Sequence, residues 1–150
     1  LHGPPPHSLK GKPVKLADLI TRHDINVLDH LDREAAIPVL TGMQRQGDVL
    51  VIPAALVTNL IAETPVPAAG VPVVRGENGG NTHALVADGP VFCDVKTATV
   101  ENLTLAVLTV PDGSTAYLAH PEHGYSGIGP GSYVLRRQRE QGEIQRLVQD

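Results

Sequence analysis

Histidine and carboxylate side chains are the ones that hold a divalent metal such as zinc, manganese or iron, and here they gather in two short segments. The first is Gly76-Glu77-Asn78-Gly79-Gly80-Asn81-Thr82-His83 and the second is His120-Pro121-Glu122-His123-Gly124. Glu77, His83, His120 and His123 are the candidate ligands. Glu122 is the candidate catalytic residue, since a carboxylate beside such a site can move protons or orient a histidine. The activity this centre would support is hydrolytic or oxidative chemistry on a small molecule. Histidine by itself is weak evidence: His2, His7, His23 and His30 show that the chain uses it freely, and a histidine beside a turn is ordinarily solvated or hydrogen-bonded. Whether the two segments can meet decides between the readings.

Directly opposed residues of an antiparallel hairpin share a face. A three-residue loop at Gly79 to Asn81 would set Glu77 opposite His83 on one side, whereas a two-residue loop at Gly79-Gly80 would put them on opposite faces. Both remain open, although a three-residue loop containing glycine is a common hairpin form. On a regular strand His120 and His123 would diverge. Pro121 interrupts the strand, and a turn there can bring the two imidazoles together.

These segments need strands to carry them, and the texture after Gly47 supplies strands. Short β-branched runs recur at 48–53, 73–77, 82–87, 91–95, 103–110, 115–119 and 133–139, separated by Gly, Pro, Asn and Asp. Leu103 to Val110 is nearly all apolar and reads as a central strand, while Val91 to Val95 alternates like a half-buried one. Ahead of them, residues 14–46 read as helical, with Leu16, Leu19 and Ile20 on one stripe and Ile25, Leu28 and Leu31 at intervals of three. Asp24 suits the N-cap of a second helix, and Pro38 suits the first turn of a third or the break that ends the second. Residues 1–13, with four prolines and two glycines, read as an extended arm. The expected fold is mainly β, an antiparallel barrel or sandwich preceded by two or three short helices, in a single domain over residues 14–150. Leu147 and Val148 in the tail fit an edge strand or a terminal helix equally.

Composition narrows the partners. A net charge of −4 and a pI near 5.9 leave no footprint for a phosphate backbone. With no Trp, one Phe and three Tyr, the chain lacks platforms on which bases or sugars stack. Nucleic acid is therefore a disfavoured partner. The basic cluster Arg136, Arg137 and Arg139 is interleaved with Gln138, Glu140 and Glu143, as on a solvated face. Dinucleotide fingerprints, P-loops and Gly-x-Ser-x-Gly elbows are absent, so no nucleotide cofactor is expected. The single cysteine, Cys93, has no partner for a disulfide or a zinc pair, and Phe92 beside it suggests ordinary packing in a reducing compartment. No apolar run reaches the ~20 residues of a membrane span, and the start lacks the pattern of a signal peptide. A cytoplasmic protein is expected, with the reservation that a chain opening on Leu1 is compatible with a trimmed start.

Histidine and glutamate ligands on two separated motifs of a β-barrel resemble the cupin arrangement, over residues 73–140. The usual first cupin motif has two histidines one residue apart, whereas Asn81 precedes Thr82-His83 here; the second carries Pro-x-Gly before its histidine, whereas Pro130 and Gly131 follow His120 and His123. The chain also resembles a group of small uncharacterised bacterial proteins with a Gly-Glu…His segment, a His-x-x-His segment and a Gly-x-Tyr…Gln-Arg-Glu ending. Gly76, Glu77, His83, His120, His123, Gly131, Tyr133, Gln138, Arg139 and Glu140 carry that pattern. The resemblance implies a bacterial origin and assigns no activity. A competing expectation is a non-catalytic module that forms homo-oligomers or binds a protein partner through its arm and the segment from Arg136 to Glu140.

Overall fold

The computed structural model describes residues 13–56, 61–75, 82–96 and 103–138. Among the described residues, ten strands form two five-stranded sheets. The first has the order β1 (Val39–Leu40), β9 (Gly124–Ile128), β8 (Thr115–His120), β5 (His83–Asp88), β4 (Val71–Val74). The second runs β2 (Gln44–Gln46), β3 (Val49–Pro53), β10 (Gly131–Arg137), β7 (Thr104–Val110), β6 (Phe92–Val95). All pairs are antiparallel except β1 with β9. The sheets are open and stack as a sandwich rather than closing into a barrel.

Their shared core follows from two-residue alternation. Val49 and Val51, Leu108, Tyr133 and Leu135 from one sheet meet Leu85, Ala116, Leu118 and Ile128 from the other, with Cys93 among them. Burial pushes the Cys93 thiol up to about 12, as a packed cysteine requires. The opposite face of the first sheet presents Val86, Tyr117, Ala119 and Tyr125, and α1 (Leu16–His23) covers it with Leu16 and Leu19. A fully buried leucine such as Leu19 stabilises the fold by roughly 1.5–3 kcal/mol. At its end the helix is tied to the sheet, where Arg22 pairs with Asp88 and His23 Nε2 lies 3.2 Å from the same carboxylate.

The expected two or three helices reduce to this α-helix and a single 3-10 turn, Ala54–Leu56, among the described residues. Asp24 caps no second helix: it is the left-handed C-cap of the first (φ 56°), its N–H bonding to the Ile20 carbonyl at 2.8 Å. The three-residue spacing of Ile25, Leu28 and Leu31 comes instead from an irregular segment in which Ile25, Val27, Leu31 and Ile37 pack on the tyrosine face of the sheet. Pro38 leads into β1, so strand structure begins well before Gly47. β9, which sequence reading missed, contains Gly124 and Gly127. At Gly127 a Cβ would lie 2.6 Å from the Pro38 carbonyl oxygen, so this strand glycine admits β1 beside it. β7 is flanked by β10 and β6, as its apolar run suggested, and β6, half-buried as its alternation suggested, lies at the edge of the sheet. No helix among the described residues is long and apolar enough to cross a membrane. The N-terminal arm, Glu77, the Gly79-to-Asn81 turn, Arg139, Glu140 and the tail lie outside the described residues.

Candidate metal centre

Alternation places the histidines. Leu85 and Leu118 point into the sandwich, so His83 and His120, each two residues further toward one end of the first sheet, share that inner face. The Ala84 and Ala119 pairing sets them side by side at the next position of the ladder. Their ring centroids are 4.2 Å apart, and both residues are only 5% exposed. His120 pairs with Gly124, leaving Pro121, Glu122 and His123 as the connecting turn, and Gly124 (φ +80°) supplies the left-handed position that returns the chain. The turn folds the exposed His123 back until its ring is 4.6 Å from His120 and 6.1 Å from His83. One ligand nitrogen from each of the three rings lies within 4.8 Å of the others. Around a tetrahedral ion with metal–nitrogen bonds of about 2.05 Å, neighbouring nitrogens sit ~3.3 Å apart, so side-chain adjustment of an ångström or so would close the set.

The second sheet supplies the opposite wall. Gln46 pairs with Val49, leaving Gly47-Asp48 as a two-residue hairpin turn with Gly47 at φ +59°, the positive φ that type II′ turns place at their first central residue. A Cβ on Gly47 would stand 2.8 Å from His123 Nε2 and 3.4 Å from His83 Nε2. Absence of a side chain there lets the backbone close over the imidazoles. Gln46 reaches across the sandwich: its Nε2 donates to the Leu118 carbonyl at 2.9 Å, to Ser126 Oγ at 2.9 Å and, more weakly, to the Gly124 carbonyl at 3.4 Å.

Electrostatics keep two of the rings neutral. Burial, reinforced by His120 and His123, lowers His83 to about 4 against the opposing pull of Asp48 and a backbone hydrogen bond with Gln46. His120 is lowered by burial and by His123, with Glu122 and Asp48 opposing. Neutral imidazoles offer lone pairs without first losing a proton. His83 Nε2 is buried and has no hydrogen-bond partner among the described residues.

A depressed histidine pKa makes stability depend on pH in one direction. The unfolded chain takes up the proton first, near the ordinary value of 6.5, so the contribution of a neutral His83 is complete above that value. It is lost as pH falls toward 4. Metal-free protein should therefore lose stability across this window, with roughly 3 kcal/mol from His83 as an upper bound. Urea titrations at steps of pH should show a weaker slope for His83→Ala; identical slopes would contradict the assignment.

His120 is arranged differently. Its Nδ1 accepts the backbone N–H groups of Glu122 at 3.1 Å and His123 at 3.3 Å, which fixes the proton of the neutral ring on Nε2. The ring therefore has to release the turn before it can ligate through either nitrogen as a neutral imidazole. Zinc should accordingly shift the amide proton resonances of Glu122 and His123 far more than that of Cys93, buried in the core. Equal, small shifts at all three would show that His120 stays on the turn.

Of the sequence candidates, the structure brings His83, His120 and His123 together. Glu122 is exposed at the rim, its N–H engaged by His120. Glu77 lies outside the described residues, and the residue across from His83 in β4 is Val74. Sequence reading passed over Gln46, Gly47 and Asp48, although Gly-Asp between two short runs is a hairpin signal. The polar Gln44-Arg45-Gln46 run concealed it.

Fold and site together define an open two-sheet β-sandwich with a histidine cluster between its layers at one end. Residues 45–138 match the family model described as Domain of unknown function (DUF8820), and the chain belongs to that family. The match runs from β2 to just past β10, so it takes in Gln46, Gly47 and all three histidines while leaving out α1. No curated protein and no solved structure matches the chain.

Proposed function

We propose that this protein binds a divalent metal of the zinc type through His83, His120 and His123, leaving a coordination position open for a small molecule. The observation that carries the reading is His83 Nε2, a buried nitrogen without a partner beside two further imidazoles. Buried polar atoms are nearly always satisfied, and an exception calls for an unseen partner. Three imidazole nitrogen donors suit zinc, iron or nickel better than manganese or magnesium, which prefer oxygen. Three protein ligands with one position vacant is the pattern of catalytic rather than structural zinc. Bound there, the ion would act as a Lewis acid and lower the pKa of water, which fits hydrolytic chemistry better than oxidative.

Glu122 is positioned at the rim, where its carboxylate favours the protonated form of His120 and can exchange protons with solvent. Asp48, in the covering turn, acts on His83 and His120 in the same sense. The likeness to cupins supports the general plan of histidine ligands on two separated β motifs, and the likeness to the bacterial group assigns no activity. Cobalt(II) tests the reading optically. Loading should produce the intense visible absorption of a four-coordinate ion, abolished in His123→Ala. A spectrum unchanged from the hydrated ion would remove the proposal.

A further inference from the structure

Gln46 carries an unfilled hydrogen bond of its own. The residue is 4% exposed, and its Oε1 is buried with no donor. The orientation of the amide is set by its surroundings: the Leu118 and Gly124 carbonyls can only accept, so the NH2 group must face them and the oxygen must face away. Rotating the amide would set oxygen against two carbonyls. Gln46 is on the inner face, because its partner Val49 lies in the shared core. Gly47, the next residue, lies against both rings: a Cβ there would stand 3.4 Å from His83 Nε2 and 2.8 Å from His123 Nε2. Gln46 Oε1 and His83 Nε2, both buried and without a hydrogen-bond partner among the described residues, therefore belong to residues that the Gly47 turn brings together.

We infer that Gln46 is the residue that positions and selects the small molecule at this centre, by accepting a hydrogen bond from a ligand atom that still carries a proton. The inference rests on the histidine cluster being a metal site and adds the chemical class of what occupies its open position. A fixed amide oxygen rewards an O–H or N–H on the bound molecule and gives nothing to an aprotic anion. The expected ligands are small molecules with a hydroxyl, amide or amine at the coordinating end. The carboxamide is suited to that task because up to three contacts from the first sheet hold it in place, so little side-chain freedom is lost on binding.

The test uses cobalt-loaded protein and two probes, methanesulfonamide, which coordinates through a nitrogen retaining one N–H, and azide, which has no proton. In Gln46→Met, affinity for methanesulfonamide should fall about tenfold while that for azide stays within about twofold, the effect of one hydrogen bond. Equal losses for both probes, or none for either, would overturn the inference. Should the variant fail to fold, the crystal structure of wild-type cobalt protein with methanesulfonamide decides, since its N–H must lie within hydrogen-bond distance of Gln46 Oε1 and any other orientation refutes the role. If the wild type takes up no cobalt, the metal reading falls separately. A high-resolution structure of the metal-free protein then decides on Gln46: a water bridging Oε1 and His83 Nε2 supports a built polar site, and a protein donor on Oε1 excludes one.

Discussion

His83→Ala should weaken zinc binding by more than about a hundredfold while leaving the protein folded. The loss exceeds the 10–100-fold typical of removing a group that merely supports a ligand, because one of three donors disappears. Folding should survive because His83 sits at the end of β5, where its removal leaves the Leu85 and Leu118 contacts of the core untouched. The substitution also removes a buried nitrogen without a partner, which offsets part of the packing lost. Thermal unfolding of the metal-free variant near pH 7 should lie within a few degrees of wild type, whereas addition of zinc should raise the midpoint of wild type alone. A variant that is stabilised by zinc as strongly as wild type would show that His83 is an ordinary buried histidine.

Gly47→Ala is expected to damage the site more than the fold. An L-residue at φ +59° costs about 1–2 kcal/mol in the left-handed region. The added methyl would also stand 2.8 Å from His123 Nε2, closer than real contacts allow. His123 is exposed, so the least costly relief is for its imidazole to swing outward. Swinging out removes a donor from the set. Zinc affinity should therefore drop at least tenfold, alongside a stability loss of about 1–2 kcal/mol by urea unfolding. Gly42→Ala provides the comparison, since a Cβ there meets nothing within 4 Å and Gly42 has no positive φ. It should leave metal affinity unaltered. Should Gly47→Ala bind zinc like wild type, the close approach of the β2–β3 turn would play no part in shaping the site.

Much of the sandwich could be read from the chain because its strands are bounded by turn residues. Strands β3, β5, β6, β7, β8 and β10 sit where β-branched runs are flanked by glycine, proline and aspartate. The elements that escaped notice have other origins. β9 is glycine-containing because β1 presses against it, a long-range constraint that no local pattern carries. β2 is polar because Gln46 spends its side chain on backbone carbonyls of the opposite sheet. The apolar spacing after Asp24 imitated a helix because an irregular segment packs Ile25 and Leu31 against Tyr117 and Tyr125 while Leu28 stays exposed.

At the site, the two histidine segments were recognisable by residue type, and Pro121 correctly signalled a turn between His120 and His123. Their convergence with His83 depends on the β5–β8 register, which pairs Ala84 with Ala119 across a long stretch of chain. The Gly79-to-Asn81 turn considered from sequence lies outside the described residues, and His83 pairs with Val74. The contribution of Gln46 and Gly47 could not be anticipated either, because it requires the second sheet to be stacked on the first.

Metal content tests the central claim most directly. Protein purified without chelators, then reconstituted with zinc and freed of excess ion, should hold close to one equivalent by plasma mass spectrometry. The His120→Ala, His123→Ala double variant, folded by circular dichroism, should hold almost none. Wild-type protein that stays metal-free after reconstitution, or a double variant that retains the same zinc, would contradict the account.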